Sequence, residues 1–199
     1  MNVLQTKLNS YGIEYKAADF KPEVHFLGQI VGASNVTETD GLFCDVWFET
    51  GKDWELLSKT HTYQTQTGYP SYGNFVTFAH PFDLHYKTKT IFGWPKLICR
   101  IWKFDDTSKI DLMAYGCATL PNTAGFHEIE FNSWILMGNL KTETLGFYLD
   151  TKPKMNTSDP ISINLNDRKE LLTKPGPTVH VNCEVILKNF YFHSISGQT

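Results

Sequence analysis

Apolar and polar residues alternate along most of this chain, and a period of two marks strands with one buried face. The clearest case lies near the carboxyl end. Val179, Val181, Cys183, Val185 and Leu187 fall on one side, and His180, Asn182, Glu184 and Lys188 on the other. Residues 126–131 repeat the pattern, with His127, Ile129 and Phe131 opposite Glu128 and Glu130. Further strands are expected over 24–31, 42–49, 54–57, 74–78, 82–86, 97–102 and 115–120. The run 97–102 is apolar on both sides apart from Arg100, which marks a strand inside a layer. Pro81 separates two of the runs, because it cannot donate to a ladder. Helix is limited to two short candidates, 139–149 and 167–172. Both fall in a polar stretch, 138–178, broken by Pro153, Pro160, Pro175 and Pro177, which reads as a long excursion before the last strand. About eight short strands with turn signals between them predict an all-β fold, an antiparallel β-sandwich, with a closed barrel as the alternative. Residues 1–22 read as an N-terminal extension and 23–199 as one domain.

Composition refines this picture in a few places. The chain has 199 residues, enough for one domain burying roughly 70 % of its unfolded surface without a metal or disulfide. A net charge of −3, without clustered Lys and Arg, gives no basic footprint for phosphate, so no nucleic-acid partner is expected. Cys44, Cys99, Cys117 and Cys183 lie far apart in strand-like runs with no CxxC pair, and buried thiols are expected rather than a zinc site. Trp47, Trp54 and Trp102 are expected in the core. No apolar run reaches the ~18 residues of a membrane span, and residues 1–19 lack the apolar run of a signal peptide, so an intracellular protein is expected.

Catalytic signatures are missing: no GxSxG elbow, HExxH, Walker loop or GxGxxG occurs. Gly28 and Gly32 inside a strand point to close backbone approach or a bend. The tightest histidine cluster is His80-Pro81-Phe82-Asp83-Leu84-His85. In an extended chain Asp83 and His85 share a face while His80 points to the other, so structural hydrogen bonding is the better reading than metal binding. The stretch 102–111 joins two strands and resembles the third calcium loop of C2-type sandwiches, with Asp105 and Asp111 at two of the acidic positions. Lys103 stands at the first, where an ammonium repels a dication that needs several anionic oxygens. That implies a disabled or very weak calcium site. Lys87, Lys89 and Lys96 form a modest basic patch that allows weak contact with a membrane surface. Phe190, Tyr191 and Phe192 cannot all face inward on a strand, which makes them candidates for protein binding.

Several blocks occur together in one order: Gly28-Gln29-Ile30-x-Gly32-Ala33, Leu42-Phe43-Cys44-x-x-Trp47, Gly51-x-x-Trp54-x-Leu56-Leu57-Ser58 and Gln64-Thr65-Gln66. They are followed by His80-Pro81-x-Asp83-Leu84-His85, Gly93-Trp94-Pro95-Lys96-Leu97, Tyr115-Gly116, Leu120-Pro121, Gly125-x-His127 and Thr178-Val179-His180-Val181. This series, spanning about 24–193, resembles the B9 domain family. The resemblance implies a C2-like sandwich in the Meckel-syndrome module of the ciliary transition zone, on the cytoplasmic face of the ciliary base (transition zone and basal body). It implies a non-catalytic scaffold subunit with no cofactor, whose partners are other B9-domain proteins and the transition-zone membrane complex. It carries over no catalytic residues. Gly93, Trp94 and Pro95 are expected to serve folding, as a tight turn entering a strand. The alternative is a peripheral membrane-binding C2-type module recognising lipid or calcium, and an enzyme centred on residues 80–85 ranks behind both.

Overall fold

The structure, a computed structural model, describes residues 21–37, 39–71, 74–105, 107–138 and 171–190. Among these residues nine strands form: β1 (Glu23–Ser34), β2 (Gly41–Glu49), β3 (Trp54–Leu56), β4 (Thr62–Gln64), β5 (Val76–Thr88), β6 (Lys96–Phe104), β7 (Ile110–Thr119), β8 (Gly125–Leu136) and β9 (Thr173–Lys188). Their spatial order is β3-β5-β1-β9-β8-β7-β6-β2-β4, and every pairing is antiparallel. β7 and β8 meet at one register pair only, Tyr115 with Trp134. At that seam the sheet folds over itself, so β3-β5-β1-β9-β8 form one layer and β7-β6-β2-β4 the other. The expected antiparallel β-sandwich is what forms.

The alternation explains the core. Val24, Phe26 and Ile30 of β1, Phe82, Leu84 and Tyr86 of β5, and Val179, Val181, Cys183 and Val185 of β9 line the inner side of the first layer. Leu42, Cys44, Val46 and Phe48 of β2 and Leu97, Cys99 and Ile101 of β6 face them from the second. Burying apolar area of this extent is the main favourable term in folding. Gly28 belongs to this inner row. A Cβ there would collide with the Asn182 carbonyl oxygen and lie 2.5 Å from the Phe82 ring, the close approach expected of a strand glycine.

Element boundaries differ from the expected ones in several places, and β8 runs on to Leu136 instead of ending at 131. The two runs flanking Pro81 are one strand, β5. β3 covers β5 only at Tyr86–Thr88, so Pro81 sits where the outer side of β5 has no ladder to lose. β9 likewise starts at Thr173, well before residue 179, and includes Pro175 and Pro177. Its pairing with β1 begins at Thr178, so those prolines pair with β8 alone. β7 begins at Ile110 instead of residue 115. β4, three residues long, carries too little alternation to be expected. The helix candidate 139–149 lies outside the described residues, as do residues 1–20 of the extension and most of 167–172, of which 171 and 172 are irregular.

Two of the three core tryptophans are corrections. Trp54 is buried in the core, but Trp47 and Trp102 are partly exposed and alternate with the core positions of β2 and β6. They lie on the outer side of the second layer, where the Arg100 guanidinium sits 4.8 Å from the Trp47 ring and 5.9 Å from the Trp102 ring. Trp102 Nε1 donates to Asp45 Oδ2 at 2.7 Å.

The cysteines also divide. Cys44, Cys99 and Cys183 are buried and Cys117 is exposed, with no disulfide among the four. A hydrogen bond to Cys99, together with burial, raises the Cys44 pKa, and burial pushes that of Cys183 up to about 12. Only the thiolate is nucleophilic. Alkylation of the native protein at pH 8 should therefore label Cys117 well before Cys183 or Cys44, as read by peptide mass mapping. Labelling of Cys183 at the rate of Cys117 would contradict this placement.

Candidate functional site

Three places named by the sequence can be followed in the structure: the acidic hairpin, the histidine cluster and the carboxyl-terminal aromatics.

The acidic hairpin joins β6 to β7. Its turn is tight: Asp105 N donates to Lys109 O at 3.2 Å, and Ser108 takes a left-handed φ of 64°. Asp105 Oδ1 accepts from Thr107 N (2.9 Å), Thr107 Oγ1 (2.6 Å) and Lys109 N (2.9 Å). These bonds, led by the Thr107 side chain, hold its carboxyl below the usual range. Asp111 lies within β7, in register with Lys103, and pairs with Lys109 Nζ at 3.2 Å. Lys103 itself forms an ion pair with Asp40. Both carboxylates thus already have protein partners, and cations stand among them.

The basic patch is weaker than its sequence suggests. Lys87 is in register with Glu23 on one side and Glu55 on the other, and Lys96 is in register with Glu49. Cross-strand carboxylates offset two of the three lysines.

Residues 80–85 divide as the alternation requires. Asp83 and His85 share the outer face of β5, whereas His80 turns toward Tyr63, with ring centroids 5.9 Å apart. What the sequence could not place beside His85 is β1. His25 is its register partner, the two rings stacking with centroids 3.6 Å apart. Glu23 Oε2 lies 3.2 Å from His85 Nε2 and 3.0 Å from Lys188 Nζ. The bond from Lys188, then that from His85, holds the Glu23 carboxyl below its ordinary value. Desolvation, then the neighbouring His85, lowers the pKa of His25.

Of the carboxyl-terminal aromatics, Phe190 is described, whereas Tyr191 and Phe192 lie outside the described residues. Phe190 packs edge-on against Trp94 at 6.5 Å between centroids. Together they line a groove of about 400 Å³ with Ile91, Leu120, Pro121 and Leu187. The β5–β6 connection, the β7–β8 connection and the end of β9 converge there, and Leu120 N donates to Pro95 O at 3.0 Å. Its remaining lining residues among those described are Thr119 and Asn122, neither of them charged. Exposed apolar surface continues beside it at Phe92, which is 82 % accessible. Trp94 Nε1 is buried without an acceptor among the described residues.

The groove is held by the turn expected to serve folding. Gly93 has a φ of +72°, and a Cβ there would collide with Gly51 Cα. Gly51 N donates to Gly93 O at 2.8 Å, and Trp54 Nε1 to Phe92 O at 2.8 Å. Trp94 then stands edge-on to Trp54 (5.2 Å) and Phe26 (6.1 Å), which fixes one wall against the core. Ile91 and Leu187 carry no site signal in the sequence, because nothing in local periodicity brings two loops and a strand end together.

Comparison with known proteins places this architecture. The model of the B9-C2 family, described as ciliary basal body-associated B9 protein, matches residues 24–186. B9 domain-containing protein 2 of Homo sapiens is 35 % identical over 168 residues, covering 84 % of this chain and 95 % of that protein. The protein of the same name from Xenopus laevis is 33 % identical over 175 residues, covering 88 % and 98 %. Among solved structures, a C2 domain of plant Extended Synaptotagmin 1 aligns over 85 % of this chain and 95 % of that domain, with a TM-score of 0.41 and 8 % identity. Matched by the family over most of its length, and by relatives aligned almost from end to end, this chain belongs to the B9-C2 family of ciliary basal body-associated proteins.

Proposed function

We propose that this protein is a non-catalytic scaffold subunit of the transition-zone complex at the cytoplasmic face of the ciliary base. There it binds other B9-domain proteins and supports cilium assembly and gating. The observation that carries the reading is the match of residues 24–186 to a ciliary basal body-associated family. The groove at the Trp94 end supports it physically. An uncharged pocket beside an exposed aromatic suits an apolar anchor residue from a protein partner. Strand addition is the less favoured mode, because the free edge of β5 carries Pro81, and Tyr63 Oη donates to Asp83 O at 2.9 Å there.

A tagged copy expressed in ciliated cells should concentrate at the ciliary base and co-purify with other B9-domain proteins. A diffuse cytoplasmic signal with none of them retained would overturn the reading. The calcium-binding alternative would need Asp105 and Asp111 to release the Thr107 hydroxyl, the turn amides and Lys109.

A further inference from the structure

Outside the groove, one cluster among the described residues brings three metal-ligating side chains together. Glu23 and His25 are two residues apart on β1, and alternation therefore puts both on its outer face. His85 lies directly across from His25 on antiparallel β5. Two ligands at i and i+2 on one strand, with a third across the ladder, form three corners of a polyhedron without any loop having to close. Donor atoms from all three residues lie within 4.8 Å of one another. The His85 Nε2 to Glu23 Oε2 separation of 3.2 Å is close to the edge of a tetrahedron built on zinc, about 3.3 Å for metal–ligand bonds near 2.0–2.1 Å.

We propose that Glu23, His25 and His85 form a binding site for one divalent ion of the zinc class, with a fourth position left to water. Two imidazoles and a carboxylate are a donor set suited to zinc and its neighbours and poorly suited to calcium or magnesium, which take oxygen ligands. The rings of His25 and His85 stack with an inclination of 19°, so their in-plane nitrogens do not converge as they stand, and both rings must turn about their terminal torsions to share an ion. Two lysines flank Glu23 across the ladders, Lys87 on β5 and Lys188 on β9, and Lys188 is the one in contact. Its ammonium occupies Glu23 Oε2 at 3.0 Å, but the side chain is 59 % accessible and can swing into solvent when an ion displaces it. The bound ion would tie the start of β1 to β5.

The test uses the full chain, stripped with chelator and titrated with Zn²⁺ alone by calorimetry. One ion per chain should bind with a Kd of about 1 μM or tighter. Glu23→Gln, His25→Asn and His85→Asn should each weaken binding at least about tenfold. Lys188→Met should tighten it by about threefold, since an exposed ion pair no longer competes. All four positions lie on the outer face, and circular dichroism checks that the variants fold. Cobalt provides a measurement that needs no variant: the wild-type chain should give the strong visible absorption of tetrahedral nitrogen and oxygen ligation. Zinc binding that is unaffected by all three ligand substitutions would overturn the proposal. So would no heat of binding up to millimolar zinc, or a cobalt spectrum of the hexahydrated ion alone.

Discussion

Replacing Phe26 with alanine should lower the unfolding free energy by about 3–5 kcal/mol, the usual cost of emptying a buried aromatic site. Phe26 is fully buried on β1, which has β5 on one side and β9 on the other. Its ring meets Tyr86 edge-on at 6.5 Å and Trp94 at 6.1 Å, so it joins the first layer to the turn that builds the groove. Neither strand can close the void without breaking its ladder. In urea the midpoint should fall by about 2 M, taking a slope near 2 kcal/mol per molar. Domains of ordinary stability hold about 5–15 kcal/mol, so the variant should lose a large share of that margin. A loss under about 1 kcal/mol would mean that Phe26 does not fill the space assigned to it.

The second large effect concerns binding. Ile91→Asp combined with Phe190→Ala should weaken association with another B9-domain protein by about 30-fold or more, the loss expected when a buried apolar anchor is removed from an interface centre. Ile91 is 50 % accessible, so an aspartate there is tolerated by the free protein while placing a charge in an uncharged groove. Phe190 adds the opposite wall. Unchanged thermal stability together with lost binding would assign the loss to docking. Unchanged binding would exclude the groove as the docking site and point instead to the outer faces of the two layers.

The sheet is legible in the sequence where one side of a strand is buried and the other wet. Alternation places β9 and β8 residue by residue, because Val179 to Leu187 and His127 to Phe131 each keep one parity. It locates β2 and β6 as well, but not the side on which their tryptophans lie. A tryptophan satisfies the apolar pattern on either face when an arginine such as Arg100 can cover it. Prolines mislead for a related reason: Pro81, Pro175 and Pro177 forbid a ladder on one side only, and which side is free depends on strand order. The groove and the Glu23, His25 and His85 cluster depend on register and loop convergence. Local spacing encodes neither. The His-Pro-x-Asp-Leu-His block does point to one member of the cluster, His85, but its partners come from β1, some 60 residues earlier in the chain.

The most direct test of the scaffold reading is a calorimetric titration of the purified chain with another B9-domain protein, with and without added calcium. We expect saturable one-to-one binding that calcium leaves unchanged, because Asp105 and Asp111 are already engaged by Thr107, Lys109 and the turn amides. A chain that ignores every B9-domain protein yet binds calcium more tightly than about 10⁻⁵ M, the range of calcium sensors, would contradict the account.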